Sequence, residues 1–328
     1  MRNKKIVIAG GTGFIGEEMI KYFGTNNHIV ILTRQVKHAL NNRNYFNGLT
    51  DEELSNVEYQ KWDGKTTAGE WASALDGADM VINLAGKSVN CRYTSKNKQE
   101  IFDSRTDSVN AIGEAVRKCK RPPALWINAS SATIYRNATD RAQDEYTGEI
   151  HNDFSVQVCK KWEKDFYAQQ TPLTRKVALR MAITLGAGGV LIPYFNLLKF
   201  GLGGRQGSGT QMYSWVHVKD TCRMVEWLFE HENLSGTFNC SSPKPVTNNE
   251  FMRTLRKVTE HAFGLPAYEW VLKIGASLIG TETELVLKSR WVVPSKILRT
   301  GFTFTYPLLE DALFDVIKAV PRKQYHLF

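Results

Sequence analysis

The stretch Gly10-Gly11-Thr12-Gly13-Phe14-Ile15-Gly16 decides how the rest of the chain is read. It follows a short apolar run, KKIVIAG, and opens FIGEEMIKYFG, whose apolar spacing is helical up to Gly24. A glycine-rich turn between a strand and a helix meets a definite physical demand. Gly10 makes the tight turn, and Gly13 lets backbone come close to a pyrophosphate. Gly16 lets the helix pack closely while its positive N-terminus meets the phosphates. Thr12, Phe14 and Ile15 complete the loop. In this context the pattern predicts a dinucleotide site, against the alternative of a merely structural turn.

Working outward, HIVILTR, VEYQKWD, DMVINLAG, ALWINASS and KVALRMAITLG read as further strands. Helical stretches, Lys96 to Lys118 and Phe154 to Gln169, lie among them. That alternation predicts an α/β chain, a Rossmann-type doubly wound parallel sheet covered on both faces. Residues 35–56, rich in Asn, read as loop with a helical turn. Farther on, VLIPYFNLLKF and TCRMVEWLFEH read as helices and GTFNCSSP as a short strand. Pro243 and Pro245 mark a boundary, and Thr247-Asn-Asn-Glu250 reads as a capping box opening the next helix. The expected division is 1–245, a dinucleotide-binding domain with a substrate-side insertion at about 187–215, and 246–328, a smaller, mainly helical C-terminal domain.

The chain has 328 residues, 42% hydrophobic and 23% charged, an ordinary globular mixture with a net charge of +9. No apolar run approaches the ~20 residues of a membrane helix. The start, MRNKKIVIAGG, reads as a first strand rather than a signal peptide, because its apolar part is short and runs into the glycine loop. The 5 cysteines are scattered without C-x-x-C spacing. That speaks against a disulfide framework or a zinc site and for a reducing cytoplasm. The densest basic run, RKCKR, ends a helical segment, where cations favour the negative terminus. No basic patch is interleaved with aromatics, so a nucleic-acid partner is not expected, and no metal-ligand spacing appears.

The second strand ends in Thr33-Arg34. An NAD-preferring site carries an acid there to bond the ribose 2′-hydroxyl, and a carboxylate would repel a 2′-phosphate. A guanidinium pairs with that phosphate through charge-assisted bonds. The cofactor expected is therefore NADP(H).

These motifs together resemble the extended short-chain dehydrogenase/reductase superfamily: GGTGFIG, NLAG at Asn83 to Gly86, and SSATIY at Ser130 to Tyr135 stand in its order. More narrowly, NLAGKSV, FDSRTDSV, VCKKWE, GLGGRQGSGTQMYSWVHVKD, PVTNNEF and SRWVVPSKILRTGFTFTYPLLEDAL resemble the atypical, YfcH-like epimerase/dehydratase branch with a C-terminal domain of unknown function. The resemblance implies that Gly10 to Gly16 hold the pyrophosphate and that Thr33 and Arg34 meet the 2′-phosphate. It implies that Leu84, Ala85 and Gly86 pass under the adenine ribose and pyrophosphate. Glu100 and Arg105, read as sharing one face of the next helix, would face the cofactor pocket. Ser130 would end the fifth strand beside the nicotinamide, and Ser131 matches the serine that bonds a substrate oxygen. The substrate implied is a polar small molecule, nucleotide-linked and anionic ones included, and a homodimer is open. Relatives often have a tyrosine-glycine pair after the serine-alanine motif, and many have tryptophan where this chain has Tyr93; here Ile134 to Asn137 intervenes.

The superfamily's chemistry uses a tyrosine as general acid or base, with a lysine four residues on that lowers its pKa. None of the 12 tyrosines here is followed by lysine at that spacing. In FSVQVCKKWE the corresponding places hold Ser155 and Cys159, and Glu163 shares their face. An unassisted serine hydroxyl is far too weak an acid to replace the phenol, and Cys159 reads as a buried, inert thiol. Tyr135, just past Ser131, is left as a phenol candidate, and His217 as a weaker one against a structural histidine. Asp144 and Glu145 read as solvated charge. The loop Gly201 to Gln211, with Arg205, is the substrate-side candidate, against a flexible connection. The alternative to an epimerase or oxidoreductase is a nonenzymatic NADP(H)-binding sensor or regulatory protein.

Overall fold

Successive side chains of a strand face opposite sides of a sheet, and here both sides are apolar. In β1 (Lys5–Ala9) Ile6 and Ile8 enter one core cluster while Val7 and Ala9 enter another. β2 (His28–Thr33) repeats this with Ile29 and Ile31 against Val30 and Leu32. Strands apolar on both faces belong to a covered parallel sheet. The computed structural model describes residues 1–37, 55–270, 272, 282 and 287–326; most of the expected 35–56 loop, at 38–54, lies outside them.

After α1 (Phe14–Phe23) and β2 come β3 (Val57–Lys61), β4 (Met80–Asn83), α2 (Ser95–Lys118), β5 (Leu125–Ser131), α3 (Phe154–Ala168) and β6 (Arg175–Met181). Then follow β7 (Ile183–Leu185), α4 (Leu191–Lys199), β8 (Met212–Tyr213), β9 (Trp215–His217), α5 (Val218–Glu230) and β10 (Gly236–Cys240). β11 (Val246–Thr247), α6 (Asn248–Val258), α7 (Ser295–Leu298) and α8 (Leu309–Lys318) complete the described elements. The main sheet has 7 strands in the order β10-β6-β5-β4-β1-β2-β3, every pair parallel. This is the doubly wound order with its switch point between β1 and β4. Met19, Phe23, Val225 and Leu228, from α1 and α5, cover one face; Val109, Ile112, Trp162 and Phe166, from α2 and α3, cover the other.

One strand expectation is corrected. KVALRMAITLG was read as one strand, but it breaks at Ala182, whose N–H donates to Cys240 O. β6 stays in the main sheet, whereas β7 pairs in parallel with β9. The apolar run carries no breaker, so its change of partner leaves no mark in the sequence.

A third apolar cluster joins Tyr194, Phe195 and Leu198 of α4 to Trp215 of β9, Phe251 and Leu255 of α6, and Leu313 and Val316 of α8. Phe302 and Ile297 instead join the core under α1 and α5. Thr247 caps α6, its hydroxyl accepting from Glu250 N–H at 3.2 Å. No helix among the described residues is long and apolar enough to cross a membrane, and all five cysteines are free.

Candidate functional site

The turn from β1 into α1 is built by close backbone approach. Gly10 has φ +77°, and a Cβ there would lie 2.9 Å from Ala85 N. Only glycine both adopts that angle and lets the turn touch the end of β4. A Cβ on Gly16 would lie 2.5 Å from Gly11 Cα, so the first turn of α1 presses on the loop backbone. Gly13 is different: an added Cβ would meet only Gly10 O, at an ordinary contact distance of 3.6 Å, so no packing at this position demands a glycine. Thr12 and Gly13 are exposed, and Ile15 packs against the core. This geometry fits a pyrophosphate: two glycines shape the turn, and the third keeps its outer side clear. Phe14 turns the other way, its ring lying where Cβ atoms on Gly186 and Gly189 would stand.

Thr33 closes β2, its hydroxyl accepting from Gln35 N–H at 3.3 Å, and Arg34 beyond it is exposed. Neither residue faces an acid within ion-pair distance among the described residues. Across the turn, Asn83 is buried; its side-chain amide donates to Asn128 Oδ1 and Ser108 Oγ, and its Oδ1 accepts from Ala85 N–H. That network fixes Leu84, Ala85 and Gly86 beside Gly10. Sequence reasoning passed over Ser108 and Asn128, although the asparagine of NLAG was a usable signal.

Glu100 and Arg105 do not share a helix face. Five residues turn a helix through about 500°, a net offset of about 140°. They meet instead around Lys87. Glu100 pairs with the Lys87 ammonium, which holds its carboxyl below the ordinary range. Arg105 Nη1 donates to Lys87 O at 3.1 Å and Ile101 O at 2.9 Å. The Arg105 guanidinium carbon lies 5.0 Å from the centre of the Trp162 ring, and a Cβ on Gly86 would stand 3.3 Å from it.

At the end of β5, Ser130 and Ser131 have different surroundings. Ser130 Oγ donates to Glu163 Oε1 at 2.6 Å and is buried. Ser131 is half-buried, caps the turn at Thr133 and shares a hydrogen bond with the Thr133 hydroxyl. Glu163 also receives a two-pronged pair from Arg180, both contacts at 2.8 Å. Arg180 Nη1 donates in turn to Tyr135 Oη at 2.8 Å, and that hydroxyl donates to Asn239 Oδ1 at 3.0 Å.

Tyr135 as a phenol open to substrate is therefore corrected. Its side chain is 1% exposed, both hydroxyl functions are engaged inside the protein, and burial pushes its pKa up against the pull of Arg180. Cys159 is buried one turn before Glu163, and its thiol is pushed up to about 12, by burial first and then by Glu163. It is a neutral packing residue at physiological pH. Neither position of the missing pair carries a group that titrates near neutrality.

His217 and Glu145 serve the fold. His217 is 2% exposed; its Nδ1 accepts from Lys219 N–H at 3.1 Å, capping α5, and its ring lies on Tyr306. Burial pushes it down to about 4, so the imidazole is neutral. Glu145, expected in solvent, accepts from Asn239 N–H at 2.7 Å and Lys296 N–H at 3.1 Å, tying its loop to β10 and α7. Arg205 Nη1 donates to Gly207 O and Ser208 O, folding back on its own loop. Gln206 ties that loop to Asn248 and Gln211. An open trough of about 510 Å³ on the outer side of α3, rimmed by Lys160, Lys161 and Lys164, lies apart from the glycine turn.

The family model described as "NAD dependent epimerase/dehydratase family" matches residues 6–241. The chain belongs to that family. A domain of unknown function, DUF1731, matches residues 269–316. The chain is 32% identical over 313 residues to epimerase family protein YfhF of Bacillus subtilis (strain 168), covering 95% of this chain and 97% of that one. It is 33% identical over 326 residues to epimerase family protein MW0731 of Staphylococcus aureus (strain MW2), covering 96% and 99%. Among solved structures, the human epimerase family protein SDR39U1 (isoform 2) with NADPH has a TM-score of 0.81 at 23% identity, covering 98% of this chain and 100% of that one. The two chains share one fold.

Proposed function

We propose that the chain binds NADP(H) at the β1–α1 turn and acts as an oxidoreductase or epimerase on a polar small molecule, nucleotide-linked or anionic, in the cytoplasm. The observation that carries this is the contrast among three glycines. Gly10 and Gly16 are packed against backbone, whereas Gly13 is exposed and an added Cβ would meet only Gly10 O, at an ordinary 3.6 Å contact, on the side where a pyrophosphate would approach. The exposed Arg34 favours the 2′-phosphorylated form, and the human relative of the same fold was crystallised with NADPH. Residues 10–16 would hold the pyrophosphate, Thr33 and Arg34 the adenosine end, and Leu84 to Gly86 the intervening ribose. The bound cofactor would supply hydride transfer.

Toward substrate, Ser131 with Thr133 is the hydroxyl pair left at the end of β5, and it would orient a substrate oxygen. We assign the substrate side to residues 187–215 and the C-terminal domain from 246 onward, with a homodimer as the assembly to test. A second reading, a nonenzymatic NADP(H) sensor, is favoured by one observation: Tyr135 and Cys159 are both sealed from solvent. The test is titration with NADPH and NADH, by cofactor fluorescence and thermal shift, followed by a panel of nucleotide sugars and carbonyl compounds. Tighter binding of NADPH supports the cofactor assignment, and binding of neither nucleotide sinks it. Turnover that Ser131→Ala reduces supports the enzyme; NADPH binding with no turnover across the panel supports the sensor.

A further inference from the structure

We infer that Arg105 supplies, from α2, the fixed cation that the superfamily's lysine supplies from α3, and that it serves the nicotinamide-side ribose of the dinucleotide. The inference rests on the NADP(H) reading above and deepens it. The lysine's place is held by Cys159, a buried neutral thiol. Arg105 enters the same neighbourhood from the adjacent helix. Its charge acts on Cys159 and on Tyr93, and its guanidinium lies over Trp162, three residues beyond Cys159. On its other side it covers Gly86, the last residue of the turn beside the glycine loop. It therefore spans the gap between the end of β4 and α3.

Its own bonding leaves work undone. Nη1 is held by two neutral carbonyls, Lys87 O and Ile101 O. No carboxylate among the described residues forms an ion pair with it. Burial pulls its pKa down, as expected for a cation withdrawn from water without a counter-charge, an arrangement that costs stability. Two other guanidiniums act on Cys159, those of Arg180 and Arg290; Arg180 is already engaged by Glu163 and Tyr135. A guanidinium has five N–H donors in one plane. With Nη1 anchored, the remaining nitrogens suit a fixed array of ribose hydroxyls or a phosphate oxygen. Tyrosine and lysine need not be lost together as a functional unit: the ribose anchor is kept from another helix, and only the phenol is gone.

The test is calorimetric titration of the full chain with NADPH and with 2′,5′-ADP, the fragment lacking the nicotinamide half. The variants are Arg105→Ala, Arg105→Gln and Arg105→Ala combined with Cys159→Lys. Removing the guanidinium should weaken NADPH by roughly tenfold or more and move 2′,5′-ADP by less than about twofold. Restoring a cation at residue 159 should recover most of the NADPH affinity. Arg105→Gln, a polar replacement, repeats both comparisons should the alanine variant fail to fold. NADPH affinity unchanged in a folded Arg105 variant overturns the assignment, as does equal weakening of both ligands. A folded double variant without recovery overturns the equivalence with lysine. Wild-type protein that binds neither ligand overturns the cofactor reading as well, so the two failures are distinguishable.

Discussion

Arg180 and Glu163 meet side-on, Nε to Oε1 and Nη2 to Oε2, both at 2.8 Å, joining β6 to α3 beneath the end of β5. Burial alone would pull the arginine pKa down; the carboxylate reverses the sign and raises it. Ser130 and Tyr135 bond to the two members of the pair. Removing one partner of a buried pair strands the other. Glu163→Ala should therefore destabilise the protein by about 3–5 kcal/mol, read from urea unfolding. A loss under about 1 kcal/mol would mean that solvent reaches Arg180.

The glycine turn separates packing from binding. Gly16→Ala places a methyl group 2.5 Å from Gly11 Cα, and stability should fall by more than about 2 kcal/mol. Gly13→Ala meets nothing closer than 3.6 Å. It should leave stability within about 0.5 kcal/mol while weakening NADPH by about tenfold or more. Thermal melts beside nucleotide titrations read both. Equal behaviour of the two variants would sink the pyrophosphate assignment.

Arg34 governs the choice between the two nicotinamide dinucleotides. Arg34→Glu replaces attraction for a 2′-phosphate by repulsion. NADPH affinity should drop by about ten- to a hundredfold, with NADH little changed or improved. Parallel titrations measure the ratio, and an unaltered ratio would place the 2′-phosphate elsewhere.

His217 sets part of the acid limb of stability. The free side chain takes up a proton near 6.5, but in the fold burial delays this to about 4, despite the pull of Asp315. Its contribution is complete above pH 6.5 and is lost as pH falls toward 4, because the unfolded chain binds the proton first. The loss amounts to at most ~3 kcal/mol. His217→Asn keeps a helix-capping acceptor and removes the titration. Urea unfolding at pH 7 and 4.5 should therefore show a smaller drop for the variant; the same drop in both proteins would contradict it.

What the sequence disclosed was local in the chain. The glycine turn, the alternation of strands and helices, and the cap at Thr247 are set by neighbouring residues. What stayed hidden depended on distant partners. Tyr135 reads as an available phenol until Arg180 and Asn239 arrive from two other strands. Glu145 reads as solvated until the backbone of Asn239 and Lys296 closes on it. The departure of β7 from the main sheet is equally silent, because apolar residues suit either partner. Glu100 and Arg105 failed for a different reason: helical geometry already separates them.

Phe14 carries a consequence of its own. Its ring fills the volume over Gly186 and Gly189, and these glycines can sit there only because they lack side chains. The start of α1 and the connection from β7 to α4 thus share one wedge. Neither can loosen without uncovering it, so their amides should exchange with deuterium as a single cooperative unit, protected together when a dinucleotide is added.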